Sequence, residues 1–188
     1  MRVGLTAERL VAAAAELADA EGLEAVTLSA LARRFGVRPA SLYSHVASTD
    51  DLRTRLALLA LEEQADRAST ALAGRSRRDA LVALADTYRD YAREHPGRHA
   101  AAQLRLDAGT ARASAGPRHA AMARAVLIGY AVPEPDRTHA VRLVGALVRG
   151  FVDLELGGSF AHSEPDAEAS WRRSIDALDT LLSHWETA

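Results

Sequence analysis

An all-α protein is predicted by three features of the 188 residues. Apolar side chains recur at spacings of three and four almost throughout, which is the repeat of one helix face. No run of β-branched residues alternates with polar ones at the two-residue period of a strand. Glycine and proline punctuation then cuts the chain into segments of helical length.

The elements follow in order. Thr6 can cap a helix to about Ala20, with Leu10, Ala14 and Leu17 on one face and Gly22 as its stop. Thr27 caps a short helix to Phe35, ended by Gly36, and Pro39 suits the first turn of a third, very short helix to Val46. Ser48 caps a fourth, with Asp50 and Asp51 in its first turn, where the helix dipole favours negative charge, and it continues to about Leu72. After a polar break at residues 74–78, helices are expected over 79–94 and, beyond Pro96-Gly97, over 98–106. Residues 107–117 are rich in Gly, Ala, Ser and Thr without periodicity and read as a mobile loop, followed by a helix over 119–130.

The segment 136–156 is apolar on two sides, with Leu143, Leu147, Gly150 and Leu154 on one and Val141, Val144 or Gly145, Val148 and Val152 on the other. A helix apolar on two faces needs burial on both. A last helix starts after Glu164-Pro165-Asp166 and repeats Trp171, Ile175, Leu178, Leu182 and Trp185 at 4-3-4-3 spacing, a packing seam. Few elements are left to cover these faces, so a homodimer is predicted through the final two helices, with Val141, Gly145, Val148, Val152, Trp171, Ile175, Leu178 and Leu182 at the interface.

The chain has no cysteine, which excludes disulfides, thiolate metal sites and thiol catalysis. No apolar run is long enough to span a bilayer, and the acidic N-terminal region is unlike a signal peptide, so a cytoplasmic protein without membrane contact is expected. No G-x-S-x-G occurs and no carboxylate pair sits at a defined spacing from a histidine, so the chain reads as no enzyme, and neither cofactor nor metal is expected. His95 and His99 have metal-pair spacing, but Pro96-Gly97 interrupts them and no third ligand is evident.

A formal charge of -2 argues against indiscriminate polyanion binding, yet the charge is unevenly placed. Between Glu24 and Asp50 there is no carboxylate, while Arg33, Arg34 and Arg38 give that window +3. Within it, residues 27–46 form a helix, a tight Gly36-Val37-Arg38 connection and a second short helix, a helix-turn-helix. Leu28, Leu31, Ala32, Phe35, Leu42 and Val46 face its packing side, leaving Pro39, Ala40, Ser41, Tyr43, Ser44 and His45 on the other. Phosphate can approach this surface. Tyr43 also suits packing across the motif, His45 a cap or a plain surface position, and Arg33 and Arg34 a solvated helix end.

Residues 5–52 resemble the N-terminal domain of the TetR, or tetracycline-repressor-like, family of transcriptional regulators. The resemblance rests on Gly22-Leu23, Val26-Thr27-Leu28, Leu31-Ala32, Phe35-Gly36-Val37, the run Ser41 to Val46, and Asp51-Leu52. It implies a ligand-responsive repressor whose homodimer places paired recognition helices in successive major grooves of a near-palindromic, double-stranded operator. By position, Ser41, Tyr43 and His45 would touch phosphates or base edges, and Arg38, Pro39, Ala40 and Ser44 would lie near the bases. Thr27 matches a phosphate-contacting helix start. Thr49 stands where many members have lysine, which removes a phosphate contact that Arg33, Arg34 or Arg38 would then replace.

The resemblance also divides the chain into a three-helix DNA-binding domain over 1–48 and a helical ligand-binding and dimerisation domain over 49–188, with the helix from about 49 to 72 connecting them. The stretches 88–97 and 147–158 are similar to the WHG subgroup of C-terminal domains, although Arg149 replaces a frequent histidine. An unknown small-molecule effector would then enter the C-terminal domain, with Tyr88, Tyr91, His99, Gln103, Met122 and Phe151 as candidate contacts. The alternative is a dimeric small-molecule-binding module with weak or lost DNA binding.

Overall fold

A computed structural model describes residues 5–185. Among these, every regular element is helical, as expected. Helix α1 is Ala7–Glu21, and Thr6 caps it by accepting a hydrogen bond from the Arg9 amide at 3.3 Å. Helix α2 is Leu28–Phe35, capped by Thr27, whose Oγ accepts from the Ala30 amide at 3.1 Å. Gly36 ends α2 in the left-handed region at φ 65°, and the Val37 amide then reaches the Ala32 carbonyl at 3.0 Å.

The third element is not the helix expected over 39–46 but a 3-10 turn, Pro39–Leu42, followed by turn residues. The Ser41 amide closes on the Arg38 carbonyl and the His45 amide on that of Leu42, each at 2.9 Å, and Ser44 Oγ donates to the Ser41 carbonyl at 3.0 Å, so i to i-3 bonds take the place of most of the i to i-4 ladder. Helix α3 is Thr49–Leu72, with Ser48 Oγ accepting from the Asp51 amide at 3.0 Å.

Helices α4 (Arg77–Glu94) and α5 (Pro96–Ala102) follow, the latter starting two residues before the expected Arg98 because proline is preorganised for a first helical turn. Part of the expected 107–117 loop is a helix, α6 (Ala108–Ala113). Asp107 nucleates it by accepting from the Gly109 and Thr110 amides at 2.9 and 3.1 Å. Then come α7 (Gly116–Ile128), α8 (Arg137–Leu156) and α9 (Ala167–Ser183), the last capped by Asp166.

Two compact units result: residues up to Glu63 with Glu94–Ala115, and Gln64–Arg93 with Gly116 onward. The sequence boundary at residue 48 falls inside the first unit, because Leu52 and Leu56 of α3 are fully buried in one core with Leu10, Val26, Leu31, Leu42 and Val46. Each such leucine contributes about 2 kcal/mol through apolar burial. Ala101 of α5 joins this core. Asp19 of α1 binds α5 as well, accepting from the Arg98 amide at 2.9 Å and lying 3.2 Å from His95 Nδ1. Arg98 Nε stands 3.0 Å from Asp19 as an ion pair without hydrogen-bond alignment, and Arg98 also reaches Glu63 at 3.2 Å.

The second unit packs Leu81 and Leu84 of α4, Val126 and Leu127 of α7, Ala140, Val144, Val148 and Val152 of α8, and Trp171, Ile175, Leu178 and Leu182 of α9 into one core. This corrects the expected interface: Val148, Val152, Trp171, Ile175, Leu178 and Leu182 are covered by their own chain, because the seams of α8 and α9 are filled within the unit. Val141 is half-buried against the same core and Gly145 is exposed. The leucine stripe of α8 is less covered, with Leu143 and Leu147 half-buried and Leu154 50% exposed.

Candidate nucleic-acid interface

The helix-turn-helix is built from the inside outward. Leu28, Leu31, Ala32, Leu42 and Val46 are buried, so the polar residues between them are forced to the other face. Arg38, Pro39, Ala40, Ser41, Tyr43 and Ser44 are all exposed, and His45 and Thr49 are half-buried. Tyr43 is 60% exposed, which removes the reading that it packs across the motif. Six small, aromatic or hydrogen-bonding positions, interrupted only by buried Leu42, thus stand exposed on one short, irregular segment, a composition able to meet base edges and phosphates.

The three arginines are not equivalent. Arg33 and Arg38 are exposed, whereas Arg34 forms an ion pair with Glu16 of α1. Glu16 therefore neutralises one of the three charges in the acid-free window. At the start of α2, Thr27 spends an oxygen lone pair on the Ala30 amide, leaving its O–H to donate elsewhere.

Three side chains that frame this surface, Asp51, Arg53 and Arg55, were not among the candidate site residues of the sequence. Asp51 accepts from the Ala47 amide at 2.8 Å and from Arg55 Nε at 3.0 Å, so it ties the end of the recognition segment to α3. Its hydrogen bond from Arg55, then that from Ala47, holds its carboxyl below the usual range. The Asp51/Arg55 spacing of four was a readable signal. Arg53 reaches back to the segment before α2, donating from Nε to the Val26 carbonyl at 3.2 Å. Its partners are 27 or more residues away and mostly backbone, which no local pattern reveals.

The candidate effector residues are divided. His99 and Gln103 belong to the first unit, and Tyr88, Tyr91, Met122 and Phe151 to the second. Tyr91 is fully buried, with the Arg67 guanidinium 5.0 Å from its ring centre. Tyr88 Oη lies 2.7 Å from His119 Nδ1, and burial pushes its hydroxyl pKa up. Met122 packs half-buried on the second core. Phe151 packs against Phe160 and Trp171 at centroid distances of 4.9 and 5.1 Å. A depression of about 360 Å³ in the second unit is lined by Arg78, Val82, Asp86, Glu168, Trp171 and neighbouring α9 residues, none of the six among them. Among the described residues no three His, Asp or Glu side chains are placed to hold a metal, and no helix is long and apolar enough to cross a membrane.

Comparison with known proteins gives a consistent result. Residues 10–56 match the family described as bacterial regulatory proteins, tetR family, and residues 81–178 match the tetracyclin repressor-like C-terminal domain. The chain is 36% identical over 171 residues to the uncharacterized HTH-type transcriptional regulator YobS of Bacillus subtilis, covering 89% of this chain and 88% of that protein. It is 33% identical over 165 residues to the uncharacterized HTH-type transcriptional regulator Rv0681 of Mycobacterium tuberculosis, covering 87% and 76%. A crystal structure of a TetR variant from Acinetobacter baumannii AYE in complex with minocycline superposes with a TM-score of 0.71 at 25% identity, covering 98% of this chain and all of that one (100%).

Proposed function

The chain belongs to the tetR family of bacterial regulatory proteins, which are transcriptional regulators and not enzymes, and on that premise we propose that it is a repressor released from DNA by a small molecule. Two copies bind a near-palindromic operator, each presenting Ser41, Tyr43 and His45 to one half-site, with Arg33, Arg38 and Thr27 against phosphate. The observation that carries this reading is the acid-free row of exposed positions 38–41, 43 and 44 standing on the buried core of Leu28, Leu31, Ala32, Leu42 and Val46. Acting on bacterial DNA, it would work in the cytoplasm.

For the homodimer, the leucine stripe Leu143, Leu147 and Leu154 of α8 is the apolar face that its own chain covers least. The ligand-binding part rests on the C-terminal match and on the minocycline complex of one similar protein. In that scheme the effector binds more tightly to the form of the dimer with the wrong half-site spacing and draws the population toward it.

The decisive experiment is enrichment of duplexes from a random pool by the purified chain, followed by footprinting. Two protected half-sites about ten base pairs apart are expected. A second reading, a dimeric small-molecule-binding module with weak DNA binding, is favoured by Thr49 and by the Arg34–Glu16 pair. It predicts that no duplex is enriched.

A further inference from the structure

We propose that Arg53 is a positioning residue for DNA binding: it fastens the start of α2 to α3, and so sets where Thr27 stands relative to the recognition segment. This rests on the DNA-binding reading above. Arg53 lies one turn into α3, which begins shortly after the recognition segment, and the Ala47 amide just past that segment is held by Asp51. From there the guanidinium crosses to the chain before α2. Its Nε donates to the Val26 carbonyl at 3.2 Å, and one Nη donates to both the Glu24 carbonyl and the Glu24 carboxylate, at 3.2 and 3.1 Å.

These acceptors lie in the middle of the 3-10 turn Leu23–Ala25 and just after it, the last one residue short of Thr27. The two carbonyls are parts of an irregular connection whose direction decides the entry angle of α2. A planar fork that binds both at once fixes that direction, whereas a single point charge would leave it free to pivot. The Arg53 side chain is 20% exposed and its Nε bond to Val26 is partly buried, while the Glu24 side chain is 89% exposed, so the carbonyl bonds, with that to Val26 foremost, and not the ion pair, carry the attachment. The two ends of the motif are thereby tied through α3: Ala47 through Asp51, and Val26 through Arg53.

The test is a double-mutant cycle read by DNA affinity, using a duplex enriched from a random pool by the wild-type chain. Arg53→Ala is expected to weaken binding about tenfold, and Arg53→Lys by less. Glu24→Gln, which keeps both carbonyl bonds, is expected to bind within about twofold of wild type. In a Thr27→Ala background, Arg53→Ala is expected to cause little further loss, since the end it positions has lost its hydroxyl. Thermal melts above the assay temperature separate this from unfolding, and if Arg53→Ala does not fold, the Arg53→Lys arm of the same cycle decides. Equal losses in both backgrounds, or no loss in either, would overturn the positioning role. A wild-type chain that enriches no duplex overturns the DNA-binding reading and this inference together.

Discussion

Gly97 of α5 lies directly against Ala18 of α1: a β-carbon built on Gly97 would stand 2.0 Å from the Ala18 carbonyl carbon and 2.5 Å from the Asp19 amide nitrogen. The obstruction is backbone, which no side-chain rotation relieves. Residues 94–115 are thereby joined to the helix-turn-helix unit by a backbone-to-backbone contact, with Asp19, His95 and Arg98 beside it.

Gly97→Ala should therefore cost about 3 kcal/mol or more, the upper range for overpacking a filled site. Gly145→Ala, at a helical position with nothing within 4 Å, should be neutral or slightly stabilising. Urea unfolding of the two variants checks the contrast. Equal midpoints would show that α5 can withdraw from α1 without loss.

Tyr43→Ala should reduce DNA affinity about tenfold and leave the melting temperature within a degree or two, because the ring is exposed and supports no core. Arg38→Ala should lower the slope of log affinity against log salt by about one. Arg34→Ala should change that slope less, since Glu16 already occupies its charge. Binding titrations at several salt concentrations separate the three variants.

Arg89 is the most enclosed arginine interaction in the second unit. It is 3% exposed, forks onto Glu155 at 2.6 and 2.8 Å, reaches Glu168 at 2.7 Å, and has the Trp171 ring 5.0 Å away. Removing one side of such a buried pair costs about 3 kcal/mol, chiefly because Glu155 stays behind largely enclosed, whereas the half-exposed Glu168 keeps Arg172. Arg89→Ala should lose that amount in chemical denaturation, and Arg89→Lys less.

The same cluster sets a pH dependence. Hydrogen bonding from Arg89 holds the Glu155 and Glu168 carboxyls below their usual range. Their contribution is therefore fully present above the unfolded carboxylate pKa of about 4.3, and is lost as pH falls through the lower folded values. Denaturation midpoints measured from neutral pH downward should fall below about pH 5 and fall less in Arg89→Ala. Parallel curves for the two proteins would remove Arg89 as the cause.

Ala131 has a left-handed backbone, φ 57°, where a β-carbon is strained. Ala131→Gly should raise stability by up to about 1 kcal/mol, the relief slightly exceeding the added entropy of the unfolded chain. A thermal melt decides the sign.

Much of the helix-turn-helix was legible because its determinants are local. Thr6, Thr27 and Ser48 each cap the helix they precede, and Gly36 takes the left-handed conformation a tight reversal needs. The segment 39–46 differs from the expectation in helix type, because bonds such as that of Ser44 Oγ to the Ser41 carbonyl are ones that periodicity does not register. Helix α6 was missed for a related reason: its alanine-rich residues have no apolar stripe, and its start depends on one side chain, Asp107. What closes the apolar faces of the C-terminal half was less legible. Tyr91, Trp171 and Leu182 follow a helical repeat, and such a repeat is the same whether the seam is closed by the chain itself, by a ligand or by a second copy.

The amino-acid order alone determined an all-α chain, the position of the helix-turn-helix and the acid-free window around it, since helix faces, caps and charge runs are properties of residues a few places apart. Tertiary structure decided which faces are closed. It buried the seams of α8 and α9, paired Arg34 with Glu16, carried Arg53 to Val26 and set Gly97 on Ala18. Each of these joins residues far apart in the chain, and such contacts form only when helices with independently specified faces meet in one packed core.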